Sequence, residues 1–164
     1  MIRPAVEGME FLMKKCVKVL CAGAFGASLS LALAVSAASA AADPTAQRQA
    51  AMKAIGQAMK DGAALNSART PYDPAKAKAA MGSVSATAKK LRTLFPANSA
   101  NAPKTAALPV LWTKRADFDR RLDELAKLAD TAASAKTAET YKPAFLAVGA
   151  TCKGCHDLYR KKAS

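Results

Sequence analysis

Residues 145–160 of the 164-residue chain read Phe-Leu-Ala-Val-Gly-Ala-Thr-Cys-Lys-Gly-Cys-His-Asp-Leu-Tyr-Arg. Residues that recur at alternating steps of three and four share one face of an α-helix. This spacing is followed here by Phe145, Val148, Cys152, Cys155 and Tyr159. The pattern predicts a helix from about residue 139 to 161, because Pro143 costs little within about the first turn. Both cysteines are therefore expected to point into a protein core.

The stretch Cys152-Lys153-Gly154-Cys155-His156 has the spacing of a covalent haem attachment site. Two thiols three residues apart lie on one face of a helix, where each can add to a vinyl group of a haem. The next residue can then donate an imidazole nitrogen to the iron. We therefore predict one covalent haem c, attached at Cys152 and Cys155, with His156, the single histidine of the chain, as an axial ligand of the iron.

Other uses of two cysteines at this spacing are less consistent with the sequence. A structural zinc ion needs about four ligands, and the chain has no second cysteine pair of this kind. A redox dithiol would need a thioredoxin-like strand context, which is absent. A disulfide between helical positions three apart would be strained and would constrain little.

Three further helices are predicted from their apolar spacing, over residues 45–65, 74–95 and 109–133. Thr45 is the expected cap of the first, and Asp73 followed by Pro74 is a cap and first-residue pair for the second. Residues 96–108 show no period and are predicted as a surface loop. The expected core stripes comprise Arg48, Met52, Ile55 and Met59; Met81, Val84, Ala88, Leu91 and Phe95; and Leu111, Phe118, Leu122, Leu125 and Ala129.

These four helices predict an all-α fold, most economically an antiparallel four-helix bundle, because short connections favour antiparallel neighbours. The core stripes are rich in alanine, and aromatic residues make up only 5% of the chain. A core built from such small side chains leaves room for a bulky group. A haem would fill that space and bury apolar surface that the side chains do not supply.

The N-terminal residues 1–42 are predicted to be an export signal that is removed. A basic stretch precedes an apolar run over about 19–35, and Ala38-Ser39-Ala40 has the form read by a signal peptidase. A transmembrane anchor is the alternative, but this run is rich in small residues and ends in a cleavage-like site. Residues 1–12 resemble an additional leader. Residues 43–164 are then the mature domain, expected in the periplasm without a stable membrane anchor.

The charge is strongly positive, with 25 Lys and Arg against 12 Asp and Glu. Such a balance favours acidic partners, including acidic redox proteins. Nucleic acid is not expected as a partner, because the charges are spread along every helix, no known binding motif occurs, and exported proteins rarely meet DNA. No nucleophile–base pair or phosphate-binding loop is visible, so we predict that the protein is not an enzyme.

A haem motif this close to the C-terminus resembles class II cytochromes c, the group of cytochrome c′ and its low-spin relatives. The similarity covers most of residues 43–164. It is carried by the stretch 149–156 followed by Tyr159-Arg160, and more weakly by four earlier pieces in the order of the family. These are residues 48–53, Pro71-Tyr72-Asp73, Leu94-Phe95-Pro96, and Trp112 with Phe118.

The resemblance implies roles for individual residues. Cys152 and Cys155 look like the thioether cysteines, and His156 looks like the proximal ligand. Arg160 looks like the basic residue one turn beyond that ligand, near the haem. Arg48 looks like the first-helix arginine that approaches a haem propionate. Both arginines are expected on apolar helix faces; an ordinary solvated position is the alternative for each.

Met52 occupies the position that faces the distal side of the haem in this family. If its sulfur binds iron, the haem is six-coordinate and the protein is an electron carrier. If it only packs there, the site is five-coordinate and can bind or scavenge NO or CO. The small residues Ala54 and Gly56 and the Pro-Tyr-Asp turn resemble the low-spin branch, so ligation is favoured. Met59 and Met81 are expected to serve in packing, and a homodimer through the first two helices stays open.

Overall fold

The computed structural model describes residues 43–67 and 71–162. The predicted export signal at residues 1–42, including the leader at 1–12, lies outside this part of the chain. Within it the helices are α1 (Pro44–Ala64), α2 (Pro74–Leu91), the single turn α3 (Val110–Thr113), α4 (Arg115–Ala133) and α5 (Ala138–Tyr159). The four long helices form the predicted all-α bundle. None of the helices in the described ranges is long and apolar enough to span a membrane.

Helices α1 and α2 both begin at an aspartate cap followed by a proline. Asp73 caps α2 as expected, because its side chain accepts hydrogen bonds from the backbone N–H of Ala75 and Lys76. For α1, however, the cap is Asp43, which accepts from the Thr45 N–H at 2.9 Å. The prediction of Thr45 as cap is wrong. Pro44 takes the first helical position, where its missing N–H costs nothing, and Thr45 lies inside the helix.

The predicted third helix over residues 109–133 is broken at Lys114, whose backbone leaves the helical region at φ −109° and ψ 40°. The break lets Arg115 reach back to the end of α2. Its guanidinium donates to the carbonyls of Phe95 at 2.7 Å and Arg92 at 2.6 Å. The Arg92 and Phe95 carbonyls follow the last residue of α2, where carbonyl groups lack intrahelical donors, and Arg115 supplies a donor to each.

The predicted core stripes of α2 and of the α3–α4 segment are buried, as expected from their spacing. Helix α2 packs against α1 and α4, and α4 packs against α5. Helices α1 and α5 touch each other at few points. The bundle is therefore filled on one side and open between α1 and α5.

The segment predicted as a surface loop, residues 96–108, contains a 3₁₀ turn at Ala97–Ser99 and ends in a short segment, residues 104–108, which we call the strap. Residues 104–108 of this strap bind the end of α5 through backbone hydrogen bonds, from Leu108 N to Tyr159 O at 2.9 Å and from Lys161 N to Ala106 O at 2.8 Å. An isolated antiparallel bridge joins Ala107 to Arg160. The strap therefore ends α5 at Tyr159, earlier than the sequence suggests.

Candidate functional site

The opening between α1 and α5 contains a cavity of about 440 Å³. Helix α1 supplies one wall, α5 supplies a second, and the strap closes a third side. The aromatic floor is formed by Phe95 and Phe118, with Leu111 beside them. The candidate residues Arg48, Met52, Cys152, Cys155, His156 and Arg160 all line this cavity. Residues more than 90 positions apart in the sequence thus meet in one mainly apolar space.

The two cysteines lie on the α5 wall as half-buried free thiols. Burial raises the pKa of both thiols above its usual value. His156 lies beside them and is also half-buried. Burial lowers its pKa, and the nearby Arg160 charge lowers it further. The neutral imidazole, which is the form that donates a lone pair to a metal, is therefore favoured.

The α1 wall carries two sulfur atoms, those of Met52 and Met59, which are both partly buried. Both residues were predicted to lie on the inner face of α1, and the structure confirms this position. Met59 was expected only to pack, yet it reaches the same cavity two turns along from Met52. Met81 is fully buried in the core and is not among the residues that line this cavity. The cavity thus offers two thioethers on its α1 wall, those of Met52 and Met59.

Arg48 is a charged residue with only 5% exposure. Its Nη2 donates to the Thr45 hydroxyl at 2.9 Å, and its guanidinium lies 4.8 Å from the ring centre of Phe95 and 5.8 Å from that of Trp112. Cation–π contacts of this kind stabilise a partly desolvated arginine. Burial lowers the pKa of Arg48, an effect that Asp43 opposes. Its buried Nη1 has no hydrogen-bond partner within the described ranges.

Arg160 differs from its expected placement. It is exposed and its backbone is extended, because α5 ends at Tyr159, the residue before it. The prediction that Arg160 lies on an apolar helix face is therefore wrong. It nevertheless lines the mouth of the cavity, so the predicted proximity to a bound haem is compatible with its position.

A polar cluster behind the α5 wall was not predicted from the sequence. Tyr159 lines the cavity, and its hydroxyl donates to the Asp117 carboxylate on α4. Asp117 also accepts from Arg121 Nε at 2.7 Å and from Arg120. The bonds from Tyr159, Arg121 and Arg120 hold the pKa of Asp117 well below its usual value. The cluster ties the cysteine-bearing helix to α4.

The depressed pKa of Asp117 predicts acid sensitivity. A carboxyl group with a lowered folded-state pKa contributes stability above its unfolded pKa of about 4, and this contribution is lost as the pH falls through the lower folded value. We expect Asp117→Asn to lower the urea midpoint at pH 7. Below pH about 4 the urea midpoints of the variant and the wild type should approach each other, because the wild type then loses the contribution of Asp117. Asp123→Asn removes an equal charge from the same helix as a control. An unchanged difference at low pH would contradict the expectation.

Comparison with known proteins identifies the family. The family model described as Cytochrome C′ matches residues 43–160, which include both walls of the cavity. The chain belongs to the cytochrome c′ family. Cytochrome c′ of Rhodopseudomonas palustris is 38% identical over 126 residues, covering 74% of this chain and 84% of that protein. Cytochrome c-556 of the same organism is 34% identical over 138 residues, covering 81% and 93%.

Solved structures of the cytochrome c′ family share the fold. A structure of cytochrome c′ from Rhodopseudomonas palustris aligns with a TM-score of 0.69 at 36% identity, covering 74% of this chain and 98% of that one. An NMR-validated structural model of oxidised cytochrome c556 from the same organism aligns with a TM-score of 0.65 at 32% identity, covering 74% and 98%. The antiparallel four-helix bundle is therefore confirmed.

Family membership makes this chain a class II c-type cytochrome, an electron-carrying protein with one covalent haem c. The cavity fits such a group in three respects. Its walls are mainly apolar, as the haem ring requires. Two free thiols and an imidazole lie together on α5. On the other wall, the unpartnered Nη1 of Arg48 is a buried donor suited to a carboxylate such as a haem propionate.

Proposed function

We propose that this cytochrome is a periplasmic carrier of single electrons in which Cys152 and Cys155 hold the haem and His156 and Met52 are its axial ligands. One observation carries the proposal: a thioether on α1 and an imidazole on α5 line the same apolar cavity. When bound, a haem with these ligands takes up and releases one electron, and thioether ligation raises its reduction potential.

The protein's own residues have separate tasks in this arrangement. Cys152 and Cys155 fix the haem position by two covalent bonds from one helix face. His156 presents its neutral imidazole on the same helix. Arg48, held by Thr45 and two aromatic rings, places a positive charge where a propionate can accept from Nη1. The aromatic floor of Phe95 and Phe118 gives this side of the cavity an apolar surface.

The test compares two methionines that line the same wall. The reduced wild-type protein should give sharp visible bands that CO leaves unchanged, because both axial positions are filled. Met52→Ala should yield a protein whose reduced spectrum shifts on adding CO. Met59→Ala is the matched control, since it removes an equal side chain from the same helix and cavity, and its spectrum should stay insensitive to CO. A wild-type protein that binds CO directly would overturn ligation by Met52.

A five-coordinate haem site is the second candidate, because relatives named cytochrome c′ and relatives named cytochrome c-556 both match the chain. A mutant of cytochrome c′ from Alcaligenes xylosoxidans, solved as a nitric oxide complex, is 25% identical to this chain and covers 73% of it. In this alternative Met52 only packs in the cavity, and the protein would bind or scavenge NO or CO. Broad high-spin bands that shift with CO in the wild type, and equally in Met52→Ala, are expected in that case.

Location and assembly form part of the same proposal. The predicted export signal at residues 1–42 supports the periplasm, where a c-type cytochrome would meet acidic redox proteins. Fractionation of cells should place the mature protein, starting near residue 43, in the periplasmic fraction. Homodimer formation also stays a prediction; one solved cytochrome c′ that is 29% identical is described as undergoing ligand-controlled dimer dissociation.

A further inference from the structure

Exposed basic residues on three separate segments lie next to, or among, the residues that line the haem cavity. The strap contributes Lys104, whose carbonyl accepts a hydrogen bond from the Gln49 side chain on α1 at 3.4 Å. The residues after α5 contribute Arg160 and Lys161, and the Lys161 N–H is bonded to the strap. The side chains of Lys104, Arg160 and Lys161 are all exposed.

Helix α1 adds a fourth charge on the same side. Lys53 is exposed and follows Gln49 by one helical turn, so the two residues share a face of α1. Gln49 and Gly56, the residues one turn before and one turn after it, both line the cavity. We refer to Lys53, Lys104, Arg160 and Lys161 together as the basic rim.

Within the described residues, the charges of the basic rim are not neutralised by ion pairs, as is also true of some exposed lysines elsewhere. Each acidic residue of α4 forms an ion pair with a basic residue: Asp117, Asp119, Asp123, Glu124 and Asp130. No ion pair in residues 43–67 and 71–162 involves a member of the basic rim. The nearest acidic residue along α5, Asp157, is already paired with Lys153.

We propose that the basic rim is the docking surface for an acidic redox protein, positioned so that electrons enter and leave through the cavity mouth. The proposal rests on the function proposed above, because the site of electron exchange is the haem in this cavity. Unpaired charges of one sign around an opening steer an oppositely charged partner and raise its association rate. The exposed Ala106 between the lysines provides a small apolar centre within this polar border.

The occupant is expected to be a protein surface, not a small anion. The four charges lie on α1, the strap and the end of α5, so they form an extended pattern without one convergent pocket. Each exposed lysine contributes little to affinity by itself. Several such contacts spread over a wide area suit a partner with an equally extended acidic patch, and this would make association sensitive to ionic strength.

The test uses two variants of the haem-loaded protein with equal net charge. The rim variant carries Lys53→Glu, Lys104→Glu and Lys161→Glu, and leaves Arg160 in place because of its proposed haem contact. The control variant carries Lys78→Glu, Lys127→Glu and Lys136→Glu, which are exposed lysines without ion pairs, away from the cavity. In the first measurement, one electron passes from the reduced protein to hexacyanoferrate(III), giving hexacyanoferrate(II). The second measurement is binding of poly-glutamate by calorimetry.

We expect the rim variant to react with hexacyanoferrate(III) about tenfold more slowly than the wild type at low ionic strength, and the control variant to stay within about twofold. Poly-glutamate should bind to the wild type and the control variant, and its binding should be lost in the rim variant. Equal slowing in both variants would overturn the proposal, since only net charge would then matter. Equal poly-glutamate binding by all three proteins would overturn it as well.

Failure of the docking proposal can be separated from failure of the proposed axial ligation. The CO response of the reduced spectrum reports on Met52 and does not depend on the surface charges. A five-coordinate haem would still be oxidised by hexacyanoferrate(III), so the comparison of the two variants keeps its meaning. Helical circular dichroism of both variants checks that the bundle has folded.

Discussion

A Cys152→Ala, Cys155→Ala double variant is expected to lose all covalently bound haem. The two thiols are free and half-buried on one wall of the cavity, within reach of a single bound group. No other cysteine lies in the predicted mature chain, so the double variant has no substitute thiol. Each single variant can form only one thioether bond and should retain less haem than the wild type.

Haem staining after denaturing electrophoresis, together with the mass of the intact protein, measures this loss. Lys153→Ala is the matched control, because it changes the exposed residue between the cysteines and leaves both thiols in place. The double variant should also be less stable to urea, since a cavity of about 440 Å³ with apolar walls would lack its main occupant. Haem that stays attached through denaturation in the double variant would contradict the proposed attachment.

Local features of the fold could be predicted from the sequence. The stripe from Met81 to Phe95 is buried throughout, because a regular period of apolar residues fixes one helix face regardless of its neighbours. Asp73 and Pro74 set the start of α2 for an equally local reason. The same rule applied to Asp43 would have given the correct start of α1.

Features that depend on distant residues could not be predicted in this way. The end of α5 at Tyr159 is set by hydrogen bonds to the strap, about 50 residues earlier in the chain. This explains why Arg160 is exposed and does not lie on an inner face. The bond from Tyr159 to Asp117 likewise joins separate helices. No periodicity in either helix reveals which partner a polar side chain will meet.

The candidate site lies between these two cases. The motif from Cys152 to His156 is local, and its spacing alone indicates its chemistry. The convergence of Met52 and Arg48 on that motif required the resemblance to a family, because both are separated from it by most of the chain. Met59 shows the limit of that reasoning, since its helix position was predicted while its place in the cavity was not.

Gly62→Ala is expected to destabilise the protein, although alanine normally favours a helix. Gly62 lies in α1 where the helix meets α2 and α5. A methyl group there would lie 2.7 Å from Met81 Cε, 2.7 Å from the Tyr141 hydroxyl oxygen and 2.8 Å from Phe145 Cε2. Real carbon atoms do not approach so closely, so at least one of these side chains must move.

The surroundings of Gly62 leave little freedom for such a movement. Tyr141 is fully buried, and its hydroxyl donates to the Gly62 carbonyl at 3.1 Å. Its ring also contacts the rings of Tyr72 and Phe145, with centres 5.3 Å and 5.6 Å away. Overpacking of a well-filled core costs about 1–3 kcal/mol. Three contacts under 3.0 Å place Gly62→Ala in the upper part of this range. The cost then exceeds the gain of about 0.5–1 kcal/mol for replacing glycine by alanine within a helix, so the net effect is a loss.

Gly82→Ala separates the packing effect from the helix effect. Gly82 lies inside α2, and a methyl group there would meet no atom within 4 Å. This control should therefore raise the free energy of unfolding by about 0.5–1 kcal/mol, whereas Gly62→Ala should lower it. Urea denaturation of the haem-loaded proteins measures both. If the two variants shifted stability in the same direction, the contact of Gly62 with Met81, Tyr141 and Phe145 would not control packing at this end of the bundle.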